Sequence, residues 1–169
     1  LFHRGNYQYA NVYQFKYSLP RIFFAHSLVV IPELNDQFNI IRTKGFNPQK
    51  TAIMERHIGE VAYHPNADAE IMYWSPDKIE IQVDVPTDQL LVMSEIFYPN
   101  GWKITNHPNW VIHPVNIILR GIKIPSGKHH IVMEFIPDDI LQGTLLTWGS
   151  TGVLIFFILI GLVNKRKEN

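Results

Sequence analysis

An uncharged run near the C-terminus constrains this chain more than any other feature. No Asp, Glu, Lys or Arg occurs from Ile140 to Asn164, and the apolar stretch GTLLTWGSTGVLIFFILIGLV fills Gly143 to Val163. As an α-helix those residues extend about 31 Å, close to the hydrocarbon thickness of a bilayer. The chain then closes with Asn164-Lys165-Arg166-Lys167-Glu168-Asn169. A cationic cluster directly after a spanning helix favours the cytoplasm for that end. The expected layout is an extracytoplasmic domain over residues 1–139, a transmembrane helix over 140–164 and a cytoplasmic basic tail over 165–169. Trp148, near the outer end of the span, fits an interfacial belt residue. The lipid bilayer is thus the first expected partner.

Charge and cysteine content narrow the class of the outer domain. The whole chain has 15 Lys+Arg and 15 Asp+Glu; without Lys165, Arg166, Lys167 and Glu168, 12 face 14, a net charge of −2. A nucleic-acid surface would need a clustered basic face, so no nucleic-acid partner is expected. The absence of cysteine excludes disulfides and thiolate metal sites, and the fold must rest on its own core. This suits an extracytoplasmic bacterial domain. The opening Leu1-Phe2-His3-Arg4 has neither an initiator Met nor a signal-peptide pattern. A domain that crosses a membrane needs an export signal, so the chain reads as the C-terminal piece of something longer. A trimmed tail-anchored protein is the alternative.

Hydrophobic patterning predicts strands. In Asp77–Val85, Ile79, Ile81, Val83 and Val85 alternate with Lys78, Glu80, Gln82 and Asp84, the mark of a strand buried on one face. Leu90-Leu91-Val92-Met93 is apolar throughout and suits a strand covered on both sides. Pro86-Thr87-Asp88 between them has the length of a hairpin connection. Further strands are expected at Ile22–Ile31, Thr51–Glu55, Glu70–Trp74, Gly101–Thr105, Val115–Ile124 (with Gly121 as a bulge or bend) and Lys128–Ile136. One soluble helix is expected, with Pro32 at its first helical position, Leu34, Phe38 and Ile41 as its apolar stripe, Gly45 as its stop and Phe46 as the contact beyond. The fold class is therefore mainly β: an antiparallel β-sandwich of jelly-roll or Ig-like type with one short helix, followed by the transmembrane helix. Pro137-Asp138-Asp139 is the expected hinge to the membrane.

Candidate chemistry is sparse. His129 and His130 are adjacent, so on a strand they face opposite sides, and no His pair has helical i, i+4 or strand H-x-H spacing. No metal site is expected. Tyr7, Tyr9, Tyr13, Phe15 and Tyr17 recur at even spacing and read as one aromatic strand face packed in a core, with a sugar-binding platform as the alternative. Trp74, Trp102 and Trp110 allow both readings. Carboxylates at Asp68, Glu70, Asp84, Asp88, Glu95, Asp138 and Asp139 have no evident partner, and no G-x-S-x-G, phosphate-loop or H-E-x-x-H motif occurs. No catalytic or cofactor-binding residue is assigned.

Two segments carry a resemblance. Leu90–Lys103 reads LLVMSEIFYPNGWK, and Leu119–Pro137 reads LRGIKIPSGKHHIVMEFIP. Together with Leu19-Pro20-Arg21-Ile22-Phe23-Phe24 and Phe46-Asn47-Pro48 they resemble, in order, the motifs of the YfhO-like family of bacterial membrane proteins. Where that family has a D-G hairpin after GWK, this chain has Asn106-His107-Pro108-Asn109-Trp110, so a different or longer tip is expected. The resemblance implies the C-terminal extracytoplasmic domain and last helix of a multi-spanning protein of the bacterial cytoplasmic membrane. The family is similar to lipid-linked-sugar glycosyltransferases of cell-envelope polymers, which take sugar from a polyprenyl-phosphate carrier. The catalytic carboxylate is expected near the first helices of such a parent, outside this segment.

The matched positions also have structural explanations: Trp102 and Tyr98 as core, Pro125 and Gly127 as a turn. Arg21 and Arg120 could pair with carboxylates or reach an acceptor. The expected role is an accessory domain that binds or orients envelope glycan, with Trp102, Trp110, Arg120, Arg21, Tyr98 and His129 as candidate acceptor-binding residues. The remaining helices of the parent would be its partners. The alternatives are a tail-anchored carbohydrate- or protein-binding sandwich without enzyme activity, and a structural lid.

Overall fold

The computed structural model describes the backbone of residues 2–7, 10–14 and 18–167, and side chains for Tyr13 and residues 18–160 except Asp138 and Leu141. In chain order the elements are β1 (Phe2–Tyr7), β2 (Ala10–Gln14), β3 (Ile22–Phe24), β4 (Ser27–Val30), α1 (Leu34–Ile41), β5 (Thr51–Met54) and β6 (Asp68–Trp74). They continue as β7 (Lys78–Val85), β8 (Gln89–Ile96), β9 (Trp102–Ile104), β10 (Ile112–Val115), β11 (Leu119–Ile124), β12 (Gly127–Phe135) and α2 (Asp138–Lys167).

Two four-stranded antiparallel sheets, in the orders β10-β11-β8-β3 and β6-β7-β12-β9, form the expected sandwich. Ile79, Ile81, Val83 and Val85 of β7, with Ile131 and Met133 of β12, meet Leu91 and Met93 of β8 and Ile122 and Ile124 of β11. Each fully buried aliphatic side chain of this kind stabilises the fold by about 1.5–3 kcal/mol. The reverse face of β8 is buried as well. There Leu90 and Val92 pack with Phe23, Ala25, Ala52, Met54 and Val115 beneath the parallel pair β4–β5. The apolar run in β8 is therefore the strand covered on both sides that its sequence predicts.

Several boundaries differ from expectation. Pro86-Thr87-Asp88 is not a hairpin: β7 pairs with β6 and β12, while β8 pairs with β11 and β3, so the segment crosses between sheets. It lacks the Asn-Gly or Asp-Gly that a tight hairpin uses. A strand with two buried faces also belongs under the second layer. Asp88 fastens this crossing to the next one, accepting the Ser126 N–H at 3.0 Å and pairing with Lys123 at 3.5 Å. Pro125-Ser126 likewise carries β11 to β12, and Gly127, at φ 126°, has a backbone conformation that suits glycine.

Ile22–Ile31 breaks into β3 and β4 as the backbone changes partners, from Leu90 at Ala25 to Lys50 at Ser27. Val115–Ile124 is a hairpin of β10 and β11 turned by Asn116-Ile117-Ile118. Its irregularity lies between Leu119 and Arg120 rather than at Gly121.

Helix α1 starts at Leu34, with Glu33 as its extended N-cap, so Pro32 precedes the helix rather than opening it. It ends at Ile41, where the Thr43 hydroxyl donates to the Ile40 carbonyl at 2.8 Å. Gly45 is not a left-handed stop. The expected apolar stripe is not the docking face: Leu34 and Phe38 are 53% and 51% exposed, whereas Gln37 is buried and donates to the Ile31 carbonyl at 2.7 Å. β1 and β2 form their own hairpin. Of the N-terminal aromatics, Tyr13 is exposed rather than core, while Tyr9, Phe15, Tyr17 and the Tyr7 side chain lie outside the described residues.

Only Ile136 and Pro137 separate β12 from α2, so the hinge is one residue earlier than expected, and Asp138 is already helical. Among the described residues one helix is long and apolar enough to cross a membrane: Gln142–Ile160 within α2, with none of that window buried. The helix continues through Lys165-Arg166-Lys167, and residues 168–169 lie outside the described residues.

Candidate functional site

β3 lies over β6 at one edge of the sandwich and β10 over β9 at the other. The β9–β10 edge is short, because β9 has only Trp102, Lys103 and Ile104 in the sheet. The chain then leaves the ladder but stays on β12: the Thr105 N–H donates to the Val132 carbonyl at 2.9 Å, and the His107 Nε2 lies 3.1 Å from the His130 carbonyl. The Asn106 amide donates to the His130 carbonyl at 2.6 Å and its oxygen accepts the Val132 N–H at 2.9 Å. Asn106 thus stands in for a strand residue. The segment after β9 goes on to β10 in the other sheet, so it is a crossing and not a hairpin tip.

This crossing positions Trp110. The Trp110 N–H donates to the His107 carbonyl at 2.9 Å, closing a turn around Pro108-Asn109. The His107 ring then stacks on Trp110, centroids 4.3 Å apart and 13° from parallel. His129 meets the Trp110 ring edge-on at 5.1 Å, and its Nε2 lies 3.0 Å from the Pro125 carbonyl. His130 faces the opposite side of β12, 3.1 Å from Glu80, as adjacent strand residues must.

Trp102 is fixed from the other side. It pairs with Phe135 in the ladder, and the Phe135 ring lies 5.7 Å from Trp102 and 6.0 Å from Tyr98. Arg120, only 5% exposed, places its guanidinium 4.3 Å over the Trp102 ring and donates from Nε to the Ile96 carbonyl at 2.8 Å. Its Nη1 is buried without a hydrogen-bond partner. Burial lowers the Arg120 pKa and the nearby Glu95 carboxylate opposes that shift. A guanidinium remains charged throughout.

Between these groups lies a cleft of about 440 Å³, lined by Tyr98, Pro99, Trp102, Lys103, Thr105, Pro108, Trp110 and Val111 together with Phe97, Ile104 and Ile112. Three of the six candidate residues, Tyr98, Trp102 and Trp110, line it, and Arg120 and His129 brace two of those rings. Trp102 packs against the core as expected, but Tyr98 is 47% exposed and does not fill it. Arg21 is elsewhere. At the β3–β6 edge it pairs with Glu95 at 2.9 Å and covers Trp74 at 4.7 Å. The residues sequence reasoning missed are Asn106 and His107. For His107 the signal is local: a His three residues before a Trp, across a Pro, predicts a turn that brings the two rings together. Among the described residues the cleft lining holds no carboxylate and is mainly aromatic and apolar.

A second, smaller recess of about 190 Å³ lies beside His113, Pro114, Met54, Glu55 and Arg56. Burial lowers the His113 pKa. The depressed folded value means the unfolded chain takes up a proton that folded His113 resists. Stability is then retained above the free-imidazole value of about 6.5 and lost as pH falls below it. Urea unfolding at pH 7.5 and 5.0 should show a smaller acid loss for His113→Asn than for the parent chain. On the outer face of β7, Lys78 and then His130 hold the exposed Glu80 carboxylate below its usual range.

No protein-family model, curated protein or solved structure matches this chain.

Proposed function

We propose that this chain is the C-terminal extracytoplasmic domain and final membrane helix of a YfhO-like bacterial membrane protein. In this reading its aromatic cleft holds a cell-envelope glycan acceptor, and sugar is transferred from a polyprenyl-phosphate carrier by residues elsewhere in the parent protein. The observation that carries it is the convergence of Tyr98, Trp102 and Trp110 on one cleft at an open sheet edge. Pyranose rings have apolar faces that stack on aromatic rings, and the cleft volume falls within the range of about 300–1,000 Å³ common for ligand sites. His107 behind Trp110 and Arg120 over Trp102 hold both platforms in place before a ligand arrives, which lowers the ordering cost of binding. Lys103 and Thr105 supply polar groups at the same lining.

Tryptophan fluorescence of the chain in lipid nanodiscs, titrated with cell-envelope glycan fragments, tests the reading. Saturable binding is expected, weakened about tenfold or more by Trp110→Ala, since loss of one stacking platform removes at least about 1.4 kcal/mol. Arg21→Gln, at the opposite edge, should bind like the parent. Equal binding by the Trp110→Ala chain would remove the cleft from consideration. An upstream reading frame with further spanning helices is also expected, and a signal peptide directly before Leu1 would instead favour a lone tail-anchored sandwich.

A further inference from the structure

We propose that the end of the sandwich next to α2 is a lipid-contacting surface that sits in the headgroup layer of the bilayer. This inference rests on reading α2 as a spanning helix. It goes beyond anchoring, because it makes the folded domain itself a membrane-binding element.

Strand directions define that end. β12 finishes there at Phe135, and the ladders bring to the same level Trp74 of β6, Ile96 of β8, and the turn after β10. The Phe97 N–H donates to the Ile118 carbonyl at 2.7 Å, which ties that turn to the segment leading into Tyr98. Large apolar side chains there face solvent: Ile96 is 70% exposed and Ile118 is 56%, with Trp74, Tyr98 and Phe135 also exposed. A water-soluble rim has no reason to present two isoleucines and three aromatics together, and Trp and Tyr are the residues enriched at membrane interfaces.

The opposite end is different in kind. Its crossings and strand ends carry Asp84, Asp88, Ser126 and Lys128 beside the exposed Val111, and the Tyr63 ring there is covered by His26 at 3.8 Å. The rim next to α2 has the exposed Asp77 in its β6–β7 turn.

Chain geometry sets the depth. From Phe135 to Asp138, across Ile136 and Pro137, the chain takes three Cα steps, at most about 11 Å. The four helical steps from Asp138 to Gln142, where the apolar window opens, rise about 6 Å more. Phe135 at the rim therefore lies within roughly 17 Å of the hydrocarbon boundary, against a headgroup layer of about 5–8 Å on each side. Side chains projecting from the rim shorten that distance. Arg21 lies at the same level, its half-exposed guanidinium over Trp74 at 4.7 Å and paired with Glu95 at 2.9 Å.

The chain contains no cysteine, so single labels are unambiguous. Four variants, Ile96→Cys, Ile118→Cys, Asn66→Cys and Leu154→Cys, carry a nitroxide in nanodiscs of phosphatidylethanolamine and phosphatidylglycerol. Relaxation is compared between oxygen, which partitions into lipid, and a water-soluble nickel chelate. The expected result is oxygen preference at Leu154, nickel preference at Asn66, and intermediate values biased towards oxygen at Ile96 and Ile118. Nickel preference at both rim sites with Leu154 in lipid would overturn the proposal while leaving the span intact. Nickel preference at Leu154 would overturn the span and the proposal together. Labels at Ile96 and Ile118 that are immobilised and reached by neither reagent would overturn it in favour of a protein covering this end.

Discussion

Replacing Gly121 with alanine should destabilise the domain by about 2–3 kcal/mol, read as a lower urea midpoint with an unchanged slope. A Cβ at this position would stand 2.3 Å from Val115 Cγ2 and 3.2 Å from Leu90 Cδ1. Both neighbours are fully buried, and the short Val115 side chain has no free end to swing away. The strand would have to bend away from β10, loosening the ladder in which Gly121 faces His113 and Val92. Val115→Ala alone should cost about 1–3 kcal/mol as a buried truncation. In the double variant the removed methyls are those that clash, so the total should fall well short of the sum, with a coupling of 1 kcal/mol or more in magnitude expected for residues in contact. Strict additivity would show that Gly121 is required for some reason other than the close approach of Val115.

That example also marks where sequence reading fell short. Alternation in β7 and continuous apolarity in β8 name the faces of those strands, because burial on one or two sides follows directly from side-chain period. Which strands pair does not follow from period. The crossings at Pro86–Asp88 and Pro125–Ser126 have hairpin length, and only the second apolar layer over β8 places it in the other sheet. Gly121 is visibly special in sequence, yet the reason is a diagonal neighbour on β10, a strand hidden inside what reads as one long run.

In α1 the stripe of Leu34 and Phe38 is correctly periodic, but Gln37 secures the helix because its amide reaches the free Ile31 carbonyl. At the cleft, the aromatic residues were identifiable by type. Their convergence depends on Asn106 imitating a strand residue, which no pattern rule captures. Arg120 and Arg21 were indistinguishable in sequence. The fold buries one on Trp102 and leaves the other paired with Glu95, because they flank β8 on opposite sides and face different edges.

The two ends and two edges of the sandwich divide the work physically. The β9–β10 edge is open because β9 is three residues long and β10 carries Pro114, which cannot donate to a ladder, so the gap becomes a cleft rather than a site for further strands. The rim next to α2 exposes apolar groups that would be a liability in water. The cleft and the rim meet at Tyr98 and Phe135, whose rings pack on Gly101. A ligand held by Tyr98 and Trp102 would therefore lie close to the proposed headgroup layer.

Asn116→Ala should cost about 3 kcal/mol, as much as a deep core truncation. Asn116 holds a left-handed conformation at φ 50°, and its backbone and side chain form a closed pair with Ile53. The Asn116 N–H donates to the Ile53 carbonyl at 2.8 Å, and the Asn116 side-chain oxygen accepts the Ile53 N–H at 2.8 Å. Alanine removes the acceptor, and an orphaned buried N–H costs about 1–3 kcal/mol. It also meets a left-handed penalty of about 1–2 kcal/mol that Asn tolerates better. Asn116→Gly escapes the second cost but not the first, so it should be intermediate.

The next residue should behave in the opposite sense. Ile117 sits at φ 75° while the Ile118 N–H donates to the Asn116 carbonyl at 2.9 Å, a three-residue turn of the rare strained hand. A β-branched residue there carries strain of about 1–3 kcal/mol. Ile117→Gly should therefore match or exceed the parent stability, despite losing a partly buried side chain. Urea unfolding of Asn116→Ala, Asn116→Gly and Ile117→Gly should rank them in that ascending order. A destabilised Ile117→Gly would mean that side-chain packing at the turn outweighs its backbone strain.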